Sequence, residues 1–332
     1  MPNQHPTKSS PNQTSGSSGK KKKARLRKPF HILLAALPVL LGLWLVWGLI
    51  SHFVYVTPPD QPVDNPNSSE QTSLPDEEQE EQEEQSEVEK AIEDKTYVTD
   101  QKVTLLIDPG HGGLDGGNQA DDGTVEKELN LVYAKKIGDL LSRLNPNLEV
   151  SYTREDDNID FISELDDLEM RTKAQTALQP DYFLSVHCNA YEDPTFYGYQ
   201  MYIKPDDTAA REIADLMDEN FQKAGWSVNS GIITTDTYPL QVISMSPTSA
   251  MLLELGHMSN YEELEKLKSE EWTDIICDQV ALTYAQYILD HPVTQQQRDL
   301  ISSESKRIDE IIANGYKNPD THTDGSNSTN AH

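Results

Sequence analysis

The chain has 332 residues, 36% of them hydrophobic, and a formal charge of −29. So little apolar material over that length excludes a single core spanning the whole chain, and two cysteines, Cys188 and Cys277, are too few for a disulfide framework. Residues 101–291 carry 35 acidic against 13 basic side chains, and a body that acidic is repelled by phosphate backbones, which excludes nucleic acid as a partner.

Residues 1–29 form a basic tail, with Lys20 to Lys23, Arg25, Arg27 and Lys28 crowded together. An apolar run without charge follows, Ile32 to Ile50, which as a helix spans about 28 Å, close to the thickness of a bilayer core. The run is longer than a cleaved signal peptide needs, and Ser51 to Val56 offers no small-x-small cleavage site, so 30–56 reads as one uncleaved transmembrane signal anchor. No Lys or Arg follows before Lys90, so the positive-inside rule keeps the N-terminus in the cytoplasm and puts the rest outside. Residues 57–100 start with four prolines and reach the acidic run DEEQEEQEEQSEVEK; like charges three and four apart oppose a helix there. The expectation is a disordered, self-repelling acidic linker, long enough to hold the next domain well away from the bilayer.

From Val103 onward short apolar runs alternate with longer amphipathic ones, the pattern of an α/β domain. Strands are expected at 103–107, 149–153, 182–186, 198–203, 240–243 and 251–255, and helices at 128–144, 165–178, 208–224 and 272–289. Residues 292–332 add one weak amphipathic helix and a disordered tail, and no internal repeat is present.

Four residues stand out for chemistry. The first strand ends in Asp108-Pro109-Gly110-His111-Gly112-Gly113, a loop that bares backbone around a histidine. The third delivers His187 at its C-terminal end, where ligands bind in open α/β sheets. Between them Glu126 precedes a helical stretch, and two imidazoles with one carboxylate leave a tetrahedral ion one open position, as a catalytic zinc site requires. The last strand places Glu254 among Met251, Leu252, Leu253 and Leu255, a setting that raises a carboxyl's pKa toward acid/base work. Singly, each has an ordinary reading: a strand-end histidine is usually a satisfied structural residue, and Glu126 in a first helical turn is well placed against the helix dipole. Cys188, the strand neighbour of His187, points to the opposite face as a core thiol, and spacing assigns nothing to His257 or His291. Spacing suggests the set of four without establishing it.

The segments IDPGHGG, VEKELNL, SYTRED, LEMRTKAQ, FLSVHCNA and MLLELGHMSN, in this order, resemble the zinc-dependent N-acetylmuramoyl-L-alanine amidases, the amidase type 3 catalytic domain. The resemblance covers 103–290. It implies a mixed, twisted sheet of about six strands with helices on both faces, zinc (Zn2+) on His111, Glu126 and His187, and Glu254 as catalytic acid/base. It implies hydrolysis of the amide between N-acetylmuramic acid and the L-alanine of the peptidoglycan stem peptide. There are departures: His257 stands where the family usually has Phe, no Arg precedes the last motif within 242–246, and Gln175 replaces an Asn. The stretch 190–197 is too short for the inhibitory insertion of some relatives.

The combined expectation is a single-pass bacterial membrane protein whose amidase domain, 101–291, faces the cell wall. Its partners would be peptidoglycan, the membrane and activating cell-division or wall-synthesis proteins. The rival readings are a zinc peptidase of the stem peptide and a non-catalytic wall or division scaffold, the latter having no need of Glu254.

Overall fold

The computed structural model describes residues 86–159 and 164–315, so the expected membrane anchor, most of the acidic linker and the tail from residue 316 lie outside the described residues. Among those described, no helix is long and apolar enough to cross a membrane.

Six strands form one mixed sheet: β1 (Val103–Pro109), β2 (Leu148–Tyr152), β3 (Tyr182–Asn189), β4 (Tyr199–Ile203), β5 (Asn229–Thr234) and β6 (Ser249–His257), in the order β2-β1-β3-β6-β4-β5. The strands β2, β1, β3 and β6 are mutually parallel, β4 runs antiparallel to β6, and β5 is parallel to β4. β3 and β6 are almost wholly buried, which explains their nearly continuous apolar sequences: a central strand covered on both sides has no solvent face to alternate with.

Helices α1 (Glu87–Glu93), α2 (Glu126–Leu144), α4 (Thr208–Ala224), α6 (Tyr261–Lys268) and α7 (Glu270–Asp290) bury residues in one large cluster with Val103, Leu105, Ile107, Leu184, Val186 and Leu253 of the sheet. On the other face Leu106, Phe183, Ala250 and Leu252 pack with Val242 and Ile243 of α5 (Gln241–Ser244) and with Leu168 and Ala174 of α3 (Glu164–Leu178). The last helix, α8 (Gln295–Ala313), opens with a capping box between Thr294 and Gln297 and buries Ile301 and Ile308.

Three expectations are corrected. The expected strand at 240–243 is helix α5, with Leu240 as its N-cap: Ile243 and Ser244 both donate main-chain hydrogen bonds to the Leu240 carbonyl. Leu240, Val242 and Ile243 around Gln241 are too short a run to carry a period, so helix and strand cannot be told apart there. The fifth strand is instead 229–234, where Asn229, Ser230 and Gly231 dilute the β signal. The acidic linker stops earlier than residue 100. Ser86 caps α1 through its hydroxyl, Val88 and Ala91 are buried, and Arg143 donates to both carboxylate oxygens of Glu89 at 2.7 Å. Two apolar residues three apart and an ion pair outweigh the like-charge repulsion in this last turn. A helix not expected from the sequence is α6, which Asn260 starts by accepting from the amides of Glu262 and Glu263. Cys188 and Cys277 are both buried free thiols.

Candidate active site

The C-terminal ends of β1, β3 and β6 are neighbours in the sheet, and the N-terminus of α2 abuts them, which brings together residues as far apart in sequence as 111 and 254. His187 on β3 lies in register with Glu254 on β6. His111, in the loop after β1, has φ +58°, a left-handed conformation uncommon for a residue with a side chain. Gly110 lets that loop pass over β3: a Cβ there would stand 2.2 Å from the His187 ring.

His111, Glu126 and His187 offer ligand atoms that all lie within 4.8 Å of one another, an arrangement able to hold a metal ion. Glu126 Oε1 is 3.2 Å from His111 Nε2 and 3.1 Å from His187 Nδ1. Two donors about 2.1 Å from a tetrahedral ion stand about 3.4 Å apart, so the two spacings from Glu126 fit such an ion. The rings of His111 and His187 meet edge to face at 4.9 Å.

The groups around the trio aim it. His111 Nδ1 lies 2.7 Å from Asp115 Oδ2; a carboxylate can only accept, so Nδ1 carries a hydrogen and Nε2, facing Glu126, is the nitrogen placed to bind a metal. Glu126 Oε2 accepts from the main-chain and side-chain nitrogens of Asn118 at 2.9 and 2.8 Å, and Oε1 from the Cys188 amide at 3.2 Å. Burial opposes the Glu126 charge, but the two histidines hold the carboxyl well below its ordinary range. Burial likewise opposes protonation of His111, yet Glu126 and Asp115 together push its pKa up to about 10. His187 goes the other way, lowered first by burial and then by the His111 charge.

Two buried arginines grip the loop that carries His111. Arg154 donates from Nε to the Pro109 carbonyl and from Nη2 to the Gly110 carbonyl, both at 2.9 Å. Arg171, on α3, donates to the carbonyls of Pro109 and His111 at 3.0 and 2.6 Å and to Asp167 at 2.8 Å. Asp108 is the fully buried counter-charge, bonded to Arg171 and Thr153 and accepting from Ser185 at 2.8 Å. Three successive main-chain carbonyls are therefore tied to two planar guanidinium groups.

Glu254 lies beside the trio, 7% exposed, and its Oε2 has no hydrogen-bond partner among the described residues. Burial first, and the Glu126 charge second, hold its carboxyl well above the ordinary range. A carboxyl with an uncommitted oxygen and a raised pKa beside a metal-binding trio can take and return a proton.

The structure thus gathers all four residues singled out in the sequence on one rim. Cys188 stays on the opposite face of β3, in the large cluster. Asp108, Asp115, Asn118, Arg154 and Arg171 were not singled out; the one local signal was Asp115 four residues after His111, since the arginines act over 44 to 62 residues of sequence. His257 is buried at the end of β6, and Gln175 donates to the Val242 carbonyl at 3.0 Å, fastening α3 to α5.

Residues 105–285 match the profile of the family described as N-acetylmuramoyl-L-alanine amidase. The chain is 33% identical over 175 residues to N-acetylmuramoyl-L-alanine amidase CwlM of Bacillus licheniformis, covering 52% of this chain and 64% of that protein. It is 32% identical over 172 residues to the probable cell wall amidase LytH of Staphylococcus aureus, covering 51% of this chain and 53% of that one. The chain therefore spans less than two thirds of the length of these two relatives. Among solved structures, the catalytic domain of CwlV from Bacillus (Paenibacillus) polymyxa var. colistinus aligns with a TM-score of 0.50 and 29% identity, over 56% of this chain and 98% of that one. An N-acetylmuramoyl-L-alanine amidase from Clostridium difficile 630 aligns with a TM-score of 0.52 and 26% identity, over 58% and 100%. With the profile covering more than half of its length, the chain belongs to the N-acetylmuramoyl-L-alanine amidase family.

Proposed function

We propose that this protein is a membrane-anchored, extracytoplasmic zinc amidase that hydrolyses the amide between N-acetylmuramic acid and L-alanine in peptidoglycan. The observation that carries the reading is the register of Glu254 with His187 beside the trio His111, Glu126 and His187, on a chain of this family. Two imidazoles, one carboxylate and spacings near a tetrahedral edge suit zinc, and no thiolate competes, because Cys188 faces the core. Zinc so held would polarise the scissile carbonyl and make a water acidic enough to attack near neutral pH.

The chain's own residues do the rest. Asp115 orients the His111 ring from Nδ1, and Asn118 holds the Glu126 carboxylate in place. Glu254 takes a proton from the attacking water at its uncommitted Oε2. It then delivers that proton to the departing alanine nitrogen, as the C–N bond breaks and the water oxygen stays on the lactyl carbon as a carboxylate. The basic tail and the uncharged run 32–50 support a cytoplasmic N-terminus and a wall-facing enzyme.

Mass spectrometry of purified peptidoglycan digested by the full-length chain tests the chemistry. New N-terminal alanine with intact sugar strands, abolished by a chelator and restored by zinc, is the expected result. Cleavage inside the stem peptide would make it a peptidase instead. The topology is tested on wall-stripped cells: added protease should remove the acidic spacer, and loss of the Lys20–Lys28 tail instead would reverse the orientation.

A further inference from the structure

Resting on that reading, we infer that Gln200 and His257 form the subsite for the first peptide unit beyond the scissile amide, Gln200 giving a hydrogen bond to its carbonyl and His257 accepting one from its N–H. The carrying observation is a row of side chains across three strands. His187 on β3 is in register with Glu254 on β6, and Glu254 is in register with Gln200 on β4. Residues in register share a sheet face, with about 4.8 Å between strands. Val186, Cys188, Leu253, Leu255, Tyr199 and Met201 take the large core cluster, which leaves His187, Glu254 and Gln200 together on the other face. The metal-binding trio is thus at one end of the row, Glu254 is in the middle, and Gln200 is at the far end.

That order sets a direction. Glu254 has to stand next to the nitrogen it protonates, with the polarised carbonyl on its metal side, so the departing peptide leads past Glu254 toward β4. There the groups are already oriented. Asn189 Nδ2 donates to Gln200 Oε1 at 2.8 Å and the Tyr202 hydroxyl reaches the same oxygen at 3.4 Å, so the Gln200 oxygen is occupied. Its Nε2 has two hydrogens and, as acceptor, the Ser230 carbonyl at a long 3.4 Å. One row further on, His257 is in register with Asn189. His257 Nδ1 is 3.0 Å from the Gly198 carbonyl and 3.7 Å from Glu263 Oε2; both oxygens only accept, so Nδ1 carries a hydrogen, and in the neutral ring Nε2 is the acceptor. Nε2 is buried without a partner among the described residues, and the ring is held in place by Tyr191, whose centroid is 5.1 Å away. A buried acceptor without a donor is rare in a folded protein, and a substrate N–H would satisfy it. Asn189 links the two, bonded to Gln200 and in register with His257, and a donor and an acceptor so linked match the carbonyl and N–H of one peptide unit.

The test uses the zinc-loaded full-length chain with N-acetylmuramoyl-L-alanine methylamide and the corresponding methyl ester, which keeps the carbonyl and lacks the N–H. The parent should favour the methylamide by about tenfold in kcat/KM, the worth of one neutral hydrogen bond. His257→Phe should erase that preference. Gln200→Leu, and Gln200→Glu, which keeps the shape and loses the donor, should raise KM about tenfold on both substrates, with kcat within about twofold and one zinc per chain. A preference that survives in His257→Phe, or a Gln200 effect confined to kcat, would overturn the assignment. Where a variant fails to fold, titration of the parent with a tripeptide beginning in L-alanine decides: the side-chain resonances of Gln200 and His257 should shift together, and unmoved resonances at saturation would overturn it. If the parent cleaves neither substrate, the amidase reading falls, and the titration still judges the subsite.

Discussion

Arg171 on α3 donates from Nη2 to the main-chain carbonyl of His111 at 2.6 Å, so a residue 60 positions away holds the backbone of a proposed metal ligand. Its other nitrogens serve Asp108, Asp167 and Pro109, so one planar fork satisfies four partners. Lysine cannot copy that geometry. Arg171→Lys is expected to fold and to lose 10- to 100-fold in zinc affinity, measured by chelator competition, because outer partners set ligand orientation. Arg171→Met leaves Asp108 as a fully buried unpaired charge and should cost about 3–5 kcal/mol in denaturant unfolding. Zinc affinity unchanged in Arg171→Lys would show that the loop holds its shape without the arginine.

Glu254→Gln separates proton transfer from metal binding. The amide is nearly isosteric and cannot move a proton, so turnover should fall by about 10² to 10⁴. Zinc content should stay at the parent's value, since Glu254 is outside the trio. Turnover within about threefold of the parent on purified peptidoglycan would remove Glu254 from the mechanism.

Zinc uptake should release a proton. In the metal-free protein Glu126 and Asp115 push the His111 pKa up to about 10, so at pH 7 that imidazole is protonated and must give up its hydrogen to bind. Calorimetry in buffers of different ionisation enthalpy should show about one proton released per zinc. Apparent affinity should rise about tenfold per pH unit from pH 7 toward 9. A release near zero would mean that His111 is already neutral before zinc binds.

Far from the site, Asp278 on α7 offers a stability test. Burial first, with Glu89 and Glu87 adding and Lys136 opposing, raises its pKa to about 6 from 3.8. For a raised acid the favourable contribution is complete below pH 3.8 and is lost as pH rises through about 6, so at pH 7 this ionised group destabilises the fold. Two pKa units correspond to about 2.7 kcal/mol, and partial exposure screens that to about 1 kcal/mol. Asp278→Asn should therefore stabilise the protein by about 1 kcal/mol at pH 7 and by almost nothing at pH 4, read from urea unfolding. Equal effects at both pH values would contradict the shift.

The amino-acid sequence by itself determined the α/β class and five of the six strands, because each rests on a local signal; it suggested the four residues of the candidate site, and the family resemblance, not their spacing, gave them roles. Apolar runs in β1, β3 and β6 mark buried strands, and His111, Glu126, His187 and Glu254 stand at chain positions where strands end or helices begin. It failed where the local signal was short or diluted: 240–243 carries no period, and 229–234 opens with Asn, Ser and Gly. It also placed the end of the linker too late, because Val88 and Ala91 gain their burial only from packing in the large cluster. Tertiary structure alone decided which residues support the trio. Arg154 and Arg171 reach the His111 loop across 44 to 62 residues, and Gln200 meets Glu254 only because β4 runs antiparallel beside β6. A guanidinium bound to a main-chain carbonyl places no demand on the residue whose carbonyl it holds, so such a contact leaves no trace in the sequence around His111.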